Sequence, residues 1–120
     1  MINNSQYLYS INIKYNLKED TNILTLKVYL FKNKNTPLVI EFFSKNDYYI
    51  GSVLNCGIEL ENGNTKKIEI VNLNMPKYIS QIILLGIERG WNGNNNIGLQ
   101  DGIQYLKNLG YNLKNIYFIK

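Results

Sequence analysis

The chain has 120 residues, 45% of them hydrophobic and 18% charged, and 13 basic against 9 acidic residues give a net charge of +4. That size and balance fit one domain with a real core, and no apolar run reaches the ~18 residues needed to span a bilayer. There is no histidine and only one cysteine, Cys56, which removes the usual zinc ligands, the usual base for a serine or cysteine nucleophile, and any internal disulfide.

In chain order, Tyr7, Tyr9, Ile11, Ile13 and Tyr15 alternate with Leu8, Ser10, Asn12 and Lys14, the period of a half-buried strand. A polar turn over residues 18–22 leads to a second strand over 23–31, with Leu24, Leu26, Val28 and Leu30 on one face, and the two are expected to form an antiparallel hairpin. After a turn over residues 32–37, residues 38–43 predict a third strand. Residues 48–72 predict two or three more strands divided by Gly51, Gly57 and Asn62-Gly63. A three-residue loop of Asn62, Gly63 and Asn64 would set Ile58 against Ile68, Cys56 against Ile70 and Glu59 against Lys67, making Cys56 a small core residue.

Chain character changes at Asn74, which with Pro76 signals a helix start. Ile79, Ile82, Ile83, Gly86 and Ile87 share one stripe and Gly90 terminates, predicting a helix over residues 76–89. Gly86 on the buried stripe forgoes about 1 kcal/mol of helix propensity relative to Ala, so a neighbouring backbone or ring is expected to pack there. Residues 91–96 predict a polar loop. Leu99, Ile103, Leu106 and Leu109 mark a second helix ending at Gly110, and residues 115–119 a closing strand. The expected fold is one domain over residues 1–120, strand-rich over 6–72, helical over 75–110. It is an α+β fold with a mostly antiparallel sheet of five to seven strands and two helices packed on one face.

Residues 93–98 have the GxxxxG spacing of a phosphate loop but lack its Lys-Ser/Thr and follow a helix instead of a strand, so they are read as loop. Glu59 and Glu61 share a strand face, where pairing with Lys67 accounts for them without a metal. The lysines are scattered among acids and Arg89 is the sole arginine, so a nucleic-acid module is the alternative reading and not the leading one. Neither a catalytic residue, a metal nor a cofactor is assigned. A start without basic or long apolar residues leads to the expectation of a cytoplasmic protein, not a membrane one. The candidate partner surface joins Arg89, Trp91 and Asn92 to Tyr48 and Tyr49, because Trp, Tyr and Arg dominate interface hot spots. The competing reading folds Trp91 back as a core lid.

The run from Asn74-Met75-Pro76 through Ile82-Ile83-Leu84-Leu85-Gly86-Ile87-Glu88-Arg89-Gly90-Trp91-Asn92 resembles a helix ending in Gly-Trp found in small bacterial immunity proteins. The likeness covers residues 74–92, about a sixth of the chain. It implies a non-enzymatic inhibitor that binds a cognate toxin or other effector. A phage inhibitor of a bacterial defence protein belongs to the same class.

Overall fold

The structure, a computed structural model, describes residues 6–47 and 51–113. Tyr48, Tyr49 and the expected closing strand over 115–119 lie outside the described residues. β1 (Tyr7–Asn16), β2 (Thr21–Leu30) and β3 (Asn33–Asp47) form an antiparallel meander in which Tyr7 faces Leu30, Asn16 faces Thr21, and Leu26 faces Ile40. The first turn closes on Asn16, whose Oδ1 accepts from the backbone N–H of Lys18 at 3.0 Å and Glu19 at 3.3 Å. Two short strands add to the far edge of β3. β4 (Gly51–Ser52) pairs antiparallel with its end, and β7 (Gln100–Asp101) pairs parallel with its middle.

The second hairpin of the meander turns at Phe31 and Lys32, because Leu30 faces Asn33, and the strand begins earlier than its hydrophobic run predicts. Between that pair and Val28↔Leu38 the register shifts. Thr36 sits in this bulge, which frees its carbonyl for a partner outside the ladder.

Alternation then decides the core. Leu24, Leu26 and Val28 of β2 and Leu38, Ile40 and Phe42 of β3 are fully buried on one face, each contributing about 1.5–3 kcal/mol by leaving water. α2 (Pro76–Glu88) lies on that face through Tyr78, Ile79, Ile82, Ile83 and Gly86, and α3 (Gly102–Asn108) through Ile103, Tyr105 and Leu106. A methyl at Gly86 would overlap the Leu38 side chain, and one at Gly102 would overlap Phe42. The close approach at Gly86 is therefore present, but its partner is an aliphatic side chain, neither backbone nor ring.

Both helices end alike. In α2 the N–H of Gly90 donates to the carbonyl of Ile87 and that of Trp91 to Gly86, each at 3.0 Å; in α3 Gly110 donates to Lys107 at 2.9 Å and Tyr111 to Leu106 at 3.1 Å. These are Schellman closures, with Gly90 and Gly110 at the left-handed position, φ 108° and 97°. α2 starts at Pro76 as expected, with Met75 at the N-cap, and the Asn74 amide donates to Asn55 Oδ1 at 2.7 Å. The start of α3 needs correction. Leu99 precedes α3, whose N-cap is Asp101, and is 62% exposed.

A separate hairpin, β5 (Ile58–Asn62) and β6 (Lys67–Val71), follows the one-turn helix α1 (Val53–Cys56), so among the described residues seven strands divide between two sheets and a third helix appears. Its observed register sets Ile58 against Val71, Glu59 against Ile70 and Asn62 against Lys67. The three-residue loop is wrong because Asn62 builds a four-residue one. Its carbonyl accepts from Lys66 at 2.8 Å and its Oδ1 from Asn64 at 2.8 Å, with Lys66 in the left-handed region at φ 61°. An odd shift exchanges the faces of β6. Leu60 and Val71 enter the core, while Ile68 and Ile70 are 67% and 64% exposed. Cys56 is likewise exposed, not core, because α1 turns Leu54 inward and leaves Cys56 on the opposite side.

Candidate functional site

The proposed hot spot is divided by the fold. Closing α2 with a Schellman turn drives the Trp91 indole into the core, where it is 1% exposed, its Nε1–H donates to the Thr36 carbonyl at 3.1 Å, and its ring lies 5.8 Å from that of Tyr7. The indole thus fills the β3 bulge and satisfies the carbonyl freed there. Trp91 is corrected from partner contact to core lid. Arg89 is exposed and turns the other way, its guanidinium 4.6 Å from the Tyr105 ring centre. Burial raises the Tyr105 phenol above its ordinary range, and the nearby guanidinium partly offsets this.

Asn92 is exposed and serves the loop. Its Oδ1 accepts from the Asn94 N–H at 2.8 Å, while its own N–H donates to Asn95 Oδ1 at 2.8 Å. Asn33 reaches Asn94 at 2.9 Å, and the Thr36 hydroxyl donates to the Gly93 carbonyl at 2.6 Å. The asparagine run is the expected loop, hydrogen-bonded within itself and docked on the bulge.

The densest polar cluster centres on Glu69. Its Oε1 accepts from Lys77 Nζ at 2.8 Å, Tyr111 at 3.1 Å and Tyr78 at 3.2 Å, and its Oε2 accepts from Asn62 at 3.4 Å. The Lys77 bond, ahead of those from the tyrosines, holds the carboxyl below its ordinary range, and burial raises the Tyr78 and Tyr111 phenols above theirs. Such a carboxylate is a poor base near neutrality, and such phenols give up protons reluctantly. The cluster is a clamp joining β6, α2 and the segment after α3.

Among the described residues, no helix covers the other face of the large sheet. α2 and α3 cover the side of Leu38 and Phe42, so Val39, Glu41 and Phe43 of β3 point away from them, as do Ile23, Lys27 and Tyr29 of β2. Because β7 is parallel to β3 with Glu41 beside Asp101, it sets Leu99 and Asp101 on this same face. Phe43 is 44% exposed, and together with Leu99, Glu41, Asp101 and Gln100 it lines an open groove of about 290 Å³. Two carboxylates thus stand beside two exposed apolar side chains. Asp101 is held in place because its Oδ1 accepts from the Ile103 N–H at 3.0 Å. The hydrophobic pattern carried a signal for this face. The run Leu38-Val39-Ile40-Glu41-Phe42-Phe43 is apolar at both alternations, more than a one-sided strand requires.

Among the described residues no group of three or more His, Cys, Asp or Glu is placed to hold a metal ion, and no helix is long and apolar enough to cross a membrane. In comparisons with known proteins, no family model, no curated protein and no solved structure matches the chain.

Proposed function

We propose that this protein is a non-enzymatic, protein-binding inhibitor. In its most specific form it is an immunity-type protein that neutralises a cognate bacterial toxin, or a phage inhibitor of a bacterial defence protein. The observation that supports this is the uncovered sheet face. Phe43 and Leu99 are exposed beside the Glu41 and Asp101 carboxylates in an open groove. A partner's lysine or arginine fits such a groove, its aliphatic stem on the two apolar side chains and its charged head on the carboxylates. The likeness of the α2 segment to immunity proteins and the absence of histidine from the chain agree with inhibition by occlusion.

A second reading draws on the same face, since Tyr29 and Phe43 share it with Lys14 and Lys27, the elements of a base-stacking platform for single-stranded nucleic acid. Glu41 and Asp101 at its centre repel phosphate and weigh against it.

The test is capture from the native cell with the wild-type chain and with a Phe43→Ser/Leu99→Ser variant, both side chains being exposed enough to change without opening the core. The expected result is a stoichiometric protein partner held by the wild type and lost with the variant. Equal retention by both chains would move the site elsewhere. Nucleic acid held at physiological salt without a protein partner would favour the second reading.

A further inference from the structure

β1 ends the large sheet, and among the described residues no strand pairs with its outer edge. The phase of that edge follows from one bond. The Phe31 N–H donates to the Gln6 carbonyl at 2.9 Å, one step beyond the Tyr7↔Leu30 pair. Gln6 and Phe31 are therefore a hydrogen-bonded pair, and antiparallel ladders alternate. It follows that Leu8, Ser10, Asn12 and Lys14 direct their backbone groups at β2. Tyr7, Tyr9, Ile11, Ile13 and Tyr15 direct theirs outward.

The side chains of those five residues lie on the core face, since Tyr9 faces Val28, Ile11 faces Leu26 and Ile13 faces Leu24. The stripe extends past the cover of the helices. Tyr9 is 43%, Ile13 37% and Tyr15 46% exposed. One edge thus offers unpaired N–H and C=O groups together with a row of exposed apolar side chains. It carries neither proline nor a charge on its core face, the usual devices that keep an edge from pairing.

We propose that β1 pairs antiparallel with β1 of a second copy of this chain, about a two-fold axis through Ile11, so that the large sheet continues across a dimer. The order of side chains about Ile11 is nearly palindromic: Tyr7 meets Tyr15, Tyr9 meets Ile13, and Ile11 meets itself. This register sets outward-directed backbone against outward-directed backbone at every one of these pairs, so the hydrogen-bond phase is satisfied along the whole stripe. On the opposite face Ser10 meets Asn12, and Lys14, the only charge on the strand, meets Leu8 instead of a second Lys14. A foreign strand would find the same edge, but only a second copy brings this matching order, as a two-fold interface requires.

The experiment is analytical ultracentrifugation of the full chain over a concentration series reaching roughly 0.5 mM, a range that also captures weak, small interfaces. The wild type is expected to dimerise reversibly. Ile13→Pro deletes an outward N–H used by no bond among the described residues and is expected to be monomeric with an unchanged circular dichroism spectrum. Register is read from two double variants. Tyr9→Lys/Ile13→Lys opposes lysine to lysine at both off-centre pairs and should weaken dimerisation about tenfold, whereas Tyr9→Lys/Ile13→Glu opposes unlike charges there and should recover most of it. If Ile13→Pro fails to fold, the two charge variants decide. A wild type monomeric at the highest concentration, or equal dimerisation by the two charge variants, overturns the proposal. Loss of a different protein from the variants of a monomeric wild type would also overturn it, assigning the edge to a foreign strand.

Discussion

Replacing Trp91 with alanine removes an indole that is 1% exposed, packs on Tyr7 and donates to the Thr36 carbonyl. Emptying a site of that size costs about 3–5 kcal/mol, and a carbonyl left in the bulge without its donor adds to the loss. For a chain of this length about 4 kcal/mol lowers the melting temperature by roughly 15 °C, out of a total stability of only about 5–15 kcal/mol. Trp91→Phe keeps most of the apolar contact but lacks the N–H, so it should lose about 1–2 kcal/mol, the part assigned to the bond and the residual gap. Thermal and urea melts followed by circular dichroism measure both variants, and partner binding on the same samples should fall only in proportion to the unfolded fraction. A Trp91→Ala chain melting within about 3 °C of the wild type would refute the core-lid arrangement, because no buried indole of this kind is lost so cheaply.

Gly86→Ala should gain about 1 kcal/mol of helix propensity and lose about 1–3 kcal/mol to overlap with Leu38, a net destabilisation. Adding Leu38→Ala makes room for the new methyl, so a double-mutant cycle should show favourable coupling of about 1 kcal/mol; strict additivity would contradict the contact. The Glu69 clamp sets a pH window. Its carboxyl is depressed by Lys77, so its contribution is present above the unfolded value near ~4.3 and is lost as pH falls through the folded one. The Tyr78 and Tyr111 phenols are raised, so theirs is present below ~10 and is lost as pH climbs toward the folded values. Urea melts across pH should therefore fall off at both ends, and Glu69→Gln should flatten the acid limb. An acid limb unchanged by Glu69→Gln would remove Glu69 as its source.

Elements whose burial follows one period were legible in the sequence. β2 and α2 each carry one buried stripe at their own period, and the glycines past the helices mark their ends. The hairpin β5–β6 was not, because two loop lengths both pair apolar residues with apolar residues. The choice is made by the Asn62 side chain folding back on its own turn. Cys56 went with it, since a strand through Gly57 would have turned it inward, whereas the short α1 presents Leu54 instead. The candidate site was missed for another reason. Leu99 and Asp101 meet Glu41 and Phe43 only through a two-residue parallel pairing between segments far apart in sequence, and no local pattern encodes that contact.

These pairings also change what the chain's charge means. The net charge of +4 points toward anionic partners, yet one exposed apolar pair in each sheet stands beside carboxylates. Phe43 and Leu99 adjoin Glu41 and Asp101, while Ile68 and Ile70 lie directly across from Glu61 and Glu59. A partner burying either apolar pair meets the local acids at close range, where fields are strong, and meets lysines outside the patch through screening solvent. A partner that buries either pair is therefore expected to present a basic surface in spite of the overall charge. Mutation of Glu41 or Asp101 to the corresponding amide should accordingly slow association with such a partner more than removal of any lysine beyond the groove.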